Sequence, residues 1–204
     1  GKVCDVLGTK VSNQDSIEVN GNMISKEEKV YYIMNKPKGC LCTSSDDKGR
    51  KTVLDYMPQN QRIFSVGRLD YDTSGVLLCN HMIHPRYHLE KTYLVNLQGI
   101  LSDDDIKQLR RGLKTKTEKY QPAKVFVLQK DLTRNRTQFE LTISEGKNHQ
   151  VKNMMLALGH EVRRLHRVKF AFLDVKDLRA GEYRRLKPYE IKQLNRLSME
   201  GEQK

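Results

Sequence analysis

The apolar residues of this 204-residue chain come in short runs, and the longest runs contain five residues, at positions 30–34 and 154–158. A helix that crosses a membrane needs about 20 apolar residues in succession, so the sequence predicts no membrane span. Short apolar runs bounded by glycine, proline and polar residues are typical of strands. They alternate with helix patterns, which predicts an α+β fold with a mixed, largely antiparallel central sheet flanked by helices.

Three helices can be placed from their ends. Ser102 is followed by three aspartates, and a capping hydroxyl with acids in the first turn is a helix start. Residues 148–158 have apolar side chains at i, i+3, i+4 and i+7, which predicts a helix with core methionines that ends at Gly159. Pro188 suits the first turn of a final helix. Residues 40–43 are predicted to form a strand.

Basic residues outnumber acidic ones by 37 to 25, and the net charge of +12 is concentrated in one region. Residues 147–187 contain 11 basic and 4 acidic side chains, and no acid lies between Glu161 and Asp174. Such an excess can be a solvated surface, but scarce local pairing favours a stripe that binds the phosphates of a nucleic acid. Arg163 and Arg167 are the members of this stripe that we expect to contact RNA.

The cysteines and histidines give no sign of a disulfide framework or a metal site. Four cysteines form no C-x-x-C pair and no apolar signal segment opens the chain, so we expect reduced, buried thiols in a cytoplasmic protein. His81, His84 and His88 have a spacing that zinc could use. No cysteine or carboxylate cluster completes that site, and no metal is predicted.

The densest polar pattern is the segment 67–75, GRLDYDTSG, which lies between two apolar strands. Glycines at both ends and strands on both sides can hold a side chain rigidly at a strand end, where functional sites are often found. Asp70 or Asp72 can equally bond to backbone amides of the turn. Spacing alone leaves both interpretations open.

Further motifs follow in a fixed order: NKPKG at 35–39, EKTY at 90–93 and EGKNHQVK at 145–152, with GHEVRRLHR at 159–167 and GEYRRL at 181–186. With the segment 67–75, they resemble the bacterial rRNA pseudouridine synthases of the Rsu/Rlu type, from about residue 30 to residue 194. The resemblance implies the catalytic fold of that family and a conversion of uridine to pseudouridine in ribosomal RNA. This isomerisation involves no net redox change, so no cofactor is expected.

The resemblance also implies roles for particular residues. Asp70 is the catalytic aspartate, Tyr93 stacks on the target base and helps to move its C5 proton, and Lys152 pairs with the Asp70 carboxylate. Arg68 fills the space of the flipped nucleotide or binds its phosphate. The other residues implied to bind RNA or shape the pocket are Asn35, Lys36, Lys38, Lys147, His149 and Gln150, beside Arg163 and Arg167.

The expected partner is ribosomal RNA or a ribosome-assembly intermediate, bound by a monomer without a membrane or a small-molecule cofactor. Residues 46–55 and 70–74 look more like the enzymes of large-subunit rRNA, whereas 149–152 and 165–167 look more like the small-subunit enzyme. We favour the large subunit. Alternatives are a small-subunit synthase, a non-catalytic RNA-binding assembly factor on the same fold, and a hydrolytic RNA enzyme that uses Asp70 and Asp72 with a metal.

Three parts of the chain follow from the resemblance. Residues 1–29 are expected to be the C-terminal remnant of an S-four-like RNA-binding domain with a linker. Residues 30–196 form the catalytic domain, and 197–204 form a polar tail. Relatives usually carry a complete N-terminal domain, which would supply part of the choice of target, and a longer segment after the strand that precedes Asn80. Each difference can be a deletion or a segment that this sequence does not include.

Overall fold

The computed structural model describes residues 3–12, 14–24, 30–80, 89–115 and 117–202, which form an eight-stranded sheet, a separate two-stranded hairpin and three α-helices. The strands are β1 (Ile17–Val19), β2 (Asn22–Ile24), β3 (Tyr31–Lys36), β4 (Phe64–Val66), β5 (Ser74–Asn80), β6 (Lys91–Gln98), β7 (Lys124–Asp131), β8 (Arg136–Ile143), β9 (Glu161–Phe170) and β10 (Tyr183–Arg185). The helices are α1 (Asp103–Arg111), α2 (Gln150–Ala157) and α3 (Pro188–Glu202), with a 3₁₀ helix at Val53–Tyr56.

The large sheet has the strand order β10-β3-β5-β9-β6-β8-β7, with β4 also paired to β5. Its pairs are antiparallel except for β5 and β9, which run parallel and are joined by two residue pairs. In this seam Ser74 lies opposite His166 and Gly75 lies opposite Arg167. The α+β fold with a mixed, largely antiparallel sheet is confirmed.

The sheet has a hydrophobic core on each of its two faces. Side chains alternate along a strand, and Tyr93, Val95 and Leu97 of β6 point to the side that we call the front face, where they belong to the larger core with residues of α1 and α2. The opposite side is the back face. There, Leu194 of α3 packs in a smaller core with Ile33 of β3 and with β5.

The three predicted helices are present: α3 begins at Pro188 as expected, and one of the other two starts is displaced. The Ser102 hydroxyl accepts a hydrogen bond from the backbone N–H of Asp105 at the start of α1. Helix α2 begins at Gln150, two residues later than predicted, because His149 adopts a left-handed backbone conformation with φ of 48°. Met154 and Met155 are fully buried, as expected of core residues.

The strand predicted at residues 40–43 is wrong. Only Leu41 forms a bridge, opposite Thr52, with its N–H donating to Lys51 and its carbonyl accepting from Val53. The chain turns on both sides of this residue. Gly39 has a positive φ of 74°, and the Thr43 hydroxyl donates to the Ser45 carbonyl. These turns limit the strand pairing in this segment to one residue, Leu41.

The first described residues lie apart from both cores. β1 and β2 pair with each other across a turn in which Asn20 and Gly21 have positive φ, as the Asn-Gly pair predicts. Every described side chain from 3 to 24 is exposed. That an S-four-like domain ends here stays a prediction.

Two further expectations concern the cysteines and the membrane. Cys40 and Cys79 are buried free thiols, whereas Cys4 is exposed, so its predicted burial is wrong. Within the described ranges, no helix has the length and apolar character required to cross a bilayer.

Candidate active site

The side chain of Lys36 forms hydrogen bonds to the backbone of the loop that carries Asp70. The Lys36 ammonium donates to the carbonyl oxygens of Thr73 at 2.9 Å and of Asp70 and Pro37 at 3.1 Å each. It is completely buried, and this burial lowers its pKa. Three carbonyl partners compensate for the lost water. The backbone of Asp70 is thus fixed while its carboxylate remains partly exposed.

The Asp70 carboxylate meets the ammonium of Lys152 at the start of α2. Lys152 Nζ lies 2.9 Å from Asp70 Oδ2 and 2.6 Å from Asp72 Oδ1, so one cation bridges two carboxylates. His149 Nε2 lies 3.5 Å from the other oxygen, Asp70 Oδ1. The predicted contact between Asp70 and Lys152 is therefore present, and the sequence missed the second carboxylate.

The charges of this cluster are mutually stabilising. The hydrogen bond from Lys152 lowers the pKa of Asp72 despite partial burial. Burial alone would lower the pKa of Lys152, but its hydrogen bonds to Asp72 and Asp70 outweigh that effect and the pKa is raised. Lys152 is therefore a cation throughout the neutral pH range. A carboxylate held by such a cation can serve as a nucleophile or as a base.

Tyr93 is supported from behind by the buried side chain of Arg167. Arg167 is 2% exposed and Tyr93 is 8% exposed. Arg167 Nε donates to the Val76 carbonyl at 2.6 Å, and its Nη1 lies 3.5 Å from the Tyr93 hydroxyl. The guanidinium also stands over the rings of Tyr93 and Phe170, 5.9 and 5.5 Å from their centroids. These contacts fix the orientation of the tyrosine ring.

Four of these positions lie in one row across four adjacent strands. Lys36 is opposite Gly75, Gly75 is opposite Arg167, and Arg167 is opposite Tyr93. A Cβ atom on Gly75 would lie 2.2 Å from the Arg167 carbonyl oxygen, and its φ of 110° is also one that L side chains rarely adopt. Glycine therefore permits the close approach of β5 and β9 beneath the site.

Four residues expected to contact RNA or shape the pocket use their side-chain polar atoms in hydrogen bonds inside the protein. Lys36 and Arg167 are buried as described. The Asn35 amide donates to the Leu178 carbonyl at 2.8 Å. Gln150 is 4% exposed, donates to Glu145 at 2.7 Å and accepts from the Lys147 N–H. Buried polar groups need internal partners, and the roles expected of these four residues toward RNA stay predictions.

The remaining predicted residues are exposed to different degrees and lie in different places. The Lys147 ammonium pairs with Glu118 and donates to the Lys119 carbonyl at 2.7 Å. Lys38 is exposed near Asp72, and Arg68 is exposed two residues before Asp70. Arg163 is exposed on the back face. The roles of these side chains in RNA binding stay predictions.

The burial of Arg167 could have been found from the sequence. Leu165 and Arg167 are two residues apart, so in a strand they share a face. Leu165 is an apolar residue that a core would take up, and it is buried. The charge count placed Arg167 on a surface because it ignored this alternation.

A further feature is the placement of the side chains that can ligate a metal. Among the residues that the structure describes, no group of three or more His, Cys, Asp or Glu side chains is placed to hold a metal ion. The histidines considered for zinc, His81, His84 and His88, lie outside the described residues.

Known proteins resemble this chain over most of its length. The sequence model of the family described as RNA pseudouridylate synthase matches residues 30–157. The ribosomal large subunit pseudouridine synthase B of Bacillus subtilis is 43% identical, over 98% of this chain and 86% of that protein. The ribosomal small subunit pseudouridine synthase A of Escherichia coli is 36% identical, over 94% and 85%. A crystal structure of a pseudouridylate synthase, 34% identical, superimposes with a TM-score of 0.73 over 91% of this chain and 83% of that one.

Proposed function

Since the chain belongs to the RNA pseudouridylate synthase family, we propose that it isomerises a uridine of ribosomal RNA with Asp70 as the catalytic carboxylate. The reaction breaks the bond between N1 and C1′, turns the uracil and joins C1′ to C5, from which a proton leaves. No electron and no second substrate is consumed. The protein must therefore provide base binding, a positioned carboxylate and a path for the proton.

The observation that carries the proposal is the arrangement of the two oxygens of Asp70. Oδ2 is held by Lys152 at 2.9 Å. Oδ1 has His149 at 3.5 Å, beyond the usual length of a hydrogen bond. We propose that Oδ1 is the oxygen presented to the nucleotide, while Lys152 fixes the carboxylate. A rigid backbone and one restrained oxygen reduce the freedom that the reaction would otherwise have to remove.

Tyr93 is proposed to receive the target base. A base that leaves its stack loses a few kcal/mol, and stacking on an aromatic side chain returns about 1–3 kcal/mol. The Tyr93 ring is held by Arg167, so little side-chain entropy remains to be lost when uracil binds. Arg68 and Lys38, exposed near the same loop, are proposed to contact the flanking phosphates.

The target is proposed to lie in large-subunit rRNA. This rests on the higher identity to the large subunit enzyme, 43% against 36% for the small subunit enzyme. One chain carries Asp70, Tyr93 and Lys152, so the proposal requires no second copy. An rRNA target also implies action in the cytoplasm. Residues 30–196 are proposed as the catalytic domain, after a remnant RNA-binding domain in 1–29 and before the tail 197–204.

Release of tritium from C5 tests the proposal directly. Large- and small-subunit rRNA, transcribed with C5-tritiated uridine, is incubated with the wild type, with Asp70→Asn, and with Asp177→Asn as a control at an exposed aspartate of another loop. We expect release by the wild type and the control from large-subunit rRNA, with the strands intact, and none by Asp70→Asn.

Two results would overturn the proposal. The first is wild-type protein that releases no tritium from either RNA. The second is unchanged release by Asp70→Asn, which would remove the catalytic role of that carboxylate. Cleaved strands in place of tritium release would support the hydrolytic alternative.

A further inference from the structure

We propose that the back face of the sheet carries a second RNA-binding surface, a cleft of arginines that binds phosphates away from Asp70. The cleft encloses about 310 Å³ between the back of β6 and the ends of β7, β8 and β9. Its basic side chains, which define the arginine cleft, are Arg134, Arg136, Arg163 and Arg164. The proposal rests on the proposed function only in taking RNA as the ligand.

Strand register places the arginine cleft on the opposite side of the sheet from Tyr93. Tyr93 belongs to the front core, so Asn96 and Gln98 of the same strand point to the back face. Arg164 lies opposite Asn96, and Arg136 lies opposite Gln98. Residues directly opposite each other in antiparallel strands share a face. An RNA segment bound on the front face therefore cannot reach these arginines without passing around an edge of the sheet.

The charge of the arginine cleft is largely uncompensated. Asp131 Oδ2 lies 3.9 Å from Arg134 Nε. For the other three arginines, no carboxylate of the described chain lies within ion-pair distance. Four guanidinium groups that line one cleft repel one another, and an anion with several negative charges relieves that repulsion.

The side chains around the arginines favour phosphates over bases. Arg163 Nη1 donates to Gln98 Oε1 at 2.8 Å, and Gln138 Nε2 donates to Asn96 Oδ1 at 2.9 Å. These amides are already paired with protein groups, and none of the described residues that line the cleft is an aromatic on which a base could stack. A guanidinium fork matches a phosphate in two hydrogen bonds. The cleft is therefore suited to an RNA backbone, read without regard to sequence.

In the structure, the basic residues of the stripe at 147–187 have different surroundings. Lys147, Lys152 and Arg184 pair with carboxylates, and Arg167 is buried. The exposed arginines of β9 instead join Arg134 and Arg136 from the β7–β8 hairpin. The excess charge thus serves a surface built from β6, β7, β8 and β9, which the count of charges along the chain could not show.

Salt dependence of RNA binding tests the cleft. The double variant Arg136→Ala/Arg164→Ala is compared with Lys107→Ala/Arg111→Ala, which removes two exposed charges from α1 on the front side. The probes are an unmodified large-subunit rRNA transcript and a short uridine oligonucleotide, each titrated over a range of KCl concentrations. Circular dichroism confirms that both variants are folded.

For the transcript, the arginine variant should bind more weakly at low salt, and its slope of log Kd against log salt should be shallower by about 1.4–1.8 for two lost phosphate contacts. The α1 variant should keep the wild-type slope. At saturating transcript, kcat should be the same for all three proteins, and affinity for the short oligonucleotide should not change, because it fills the front face alone.

Three results would overturn the cleft: an unchanged slope in the arginine variant, an equal change in the α1 variant, or an equal loss of affinity for the short oligonucleotide. Failure of the proposed function looks different. Suppose that the wild type releases no tritium while only the arginine variant shows a reduced salt dependence of RNA binding. This result would support the arginine cleft and contradict the proposed isomerase activity.

Discussion

Lys152 is the residue on which the arrangement of the acidic loop depends most. Its ammonium touches both Asp70 and Asp72, so it neutralises two like charges that would otherwise repel across the loop. The side chain is 29% exposed, and solvent screening makes its contribution to global stability modest. Its effect on the position of the Asp70 carboxylate is local and direct.

Replacing Lys152 by methionine is expected to reduce kcat by about 10²-fold, since a displacement of about 1 Å in a reacting group has that effect. Lys152→Arg keeps the charge and should retain much more activity. Single-turnover tritium release measures both. Equal rates in Lys152→Met and wild type would show that the ammonium does not position Asp70.

The same variant has a pH signature. In the wild type the pKa of Asp72 is lowered and that of Lys152 is raised. The ion pair is therefore intact at neutral pH, and is lost only as pH falls through the lowered Asp72 value or rises through the raised Lys152 value. In Lys152→Met, Asp72 loses the hydrogen bond that lowers its pKa, so this carboxylate should become protonated at a higher pH than in the wild type, which an NMR titration measures.

At this scale the sequence predicted contacts well where a motif fixes spacing, as for Asp70 with Lys152. It did not predict the internal partners of Asn35, Lys36, Gln150 and Arg167, because a motif identifies a polar side chain without saying which carbonyl or carboxylate it will bond to. Lys36, Gln150 and Arg167 are buried, whereas Asn35 is half-buried.

The seam between β5 and β9 is the structural element that brings the two halves of the site together. Lys36 and the Asp70 loop lie on one side of it, and Tyr93 lies on the other. The strands are joined by two residue pairs, after which Arg167 supplies a hydrogen bond to the Val76 carbonyl. Where β5 and β9 separate, the Arg167 side chain thus provides a hydrogen bond in place of the backbone bonds between the two strands.

Gly75→Ala should disrupt this seam. The added Cβ would meet the Arg167 carbonyl at 2.2 Å, and overpacking together with the strained φ predicts a loss of about 2–6 kcal/mol in the free energy of unfolding. Gly159→Ala is the matched control, with a positive φ of 81° but nothing within 4 Å, and should lose about 1–2 kcal/mol. Urea titration measures both, and equal losses would contradict the steric role of the seam.

Elements with clear periodicity were predictable and β9 was not. Ser102 and the aspartates mark α1, and the apolar positions of α2 have helical spacing. The alternation of β9 is interrupted by register shifts against β6, near Arg163 and Val168, so its ten residues read as a charge run. Bulges of this kind shift the side-chain alternation of a strand.

A second ammonium partly removed from solvent, that of the half-buried Lys91, lies beside Leu89 and Phe170 of the smaller core. Burial, together with the charge of Arg167, lowers the pKa of Lys91 to about 8. Its Nζ donates to the Leu89 carbonyl at 2.9 Å and stands 5.9 Å from the Phe170 ring centroid. The folded protein therefore binds this proton less tightly than the unfolded chain, in which the pKa of lysine is about 10.4.

Protonated Lys91 consequently weakens folding below pH 8, and the penalty is relieved as pH rises from about 8 to the unfolded value. Lys91→Met should unfold at higher urea concentration than the wild type at pH 7, and the difference should shrink between about pH 8 and 10. Urea titrations across that range measure it. Parallel curves for the two proteins would show that Lys91 does not titrate with folding.

The row formed by Lys36, Gly75, Arg167 and Tyr93 determines where the length of this chain can change. One inserted or deleted residue within β5 or β9 would turn the following side chains to the other face of the sheet. A neighbouring residue would then take the position of Arg167, and the guanidinium would no longer lie behind Tyr93. The exposed loop at 44–51 has no such restriction, since doubling a flexible loop costs only about 0.6 kcal/mol. Changes in length are thus compatible with the site only where no strand of the row is crossed.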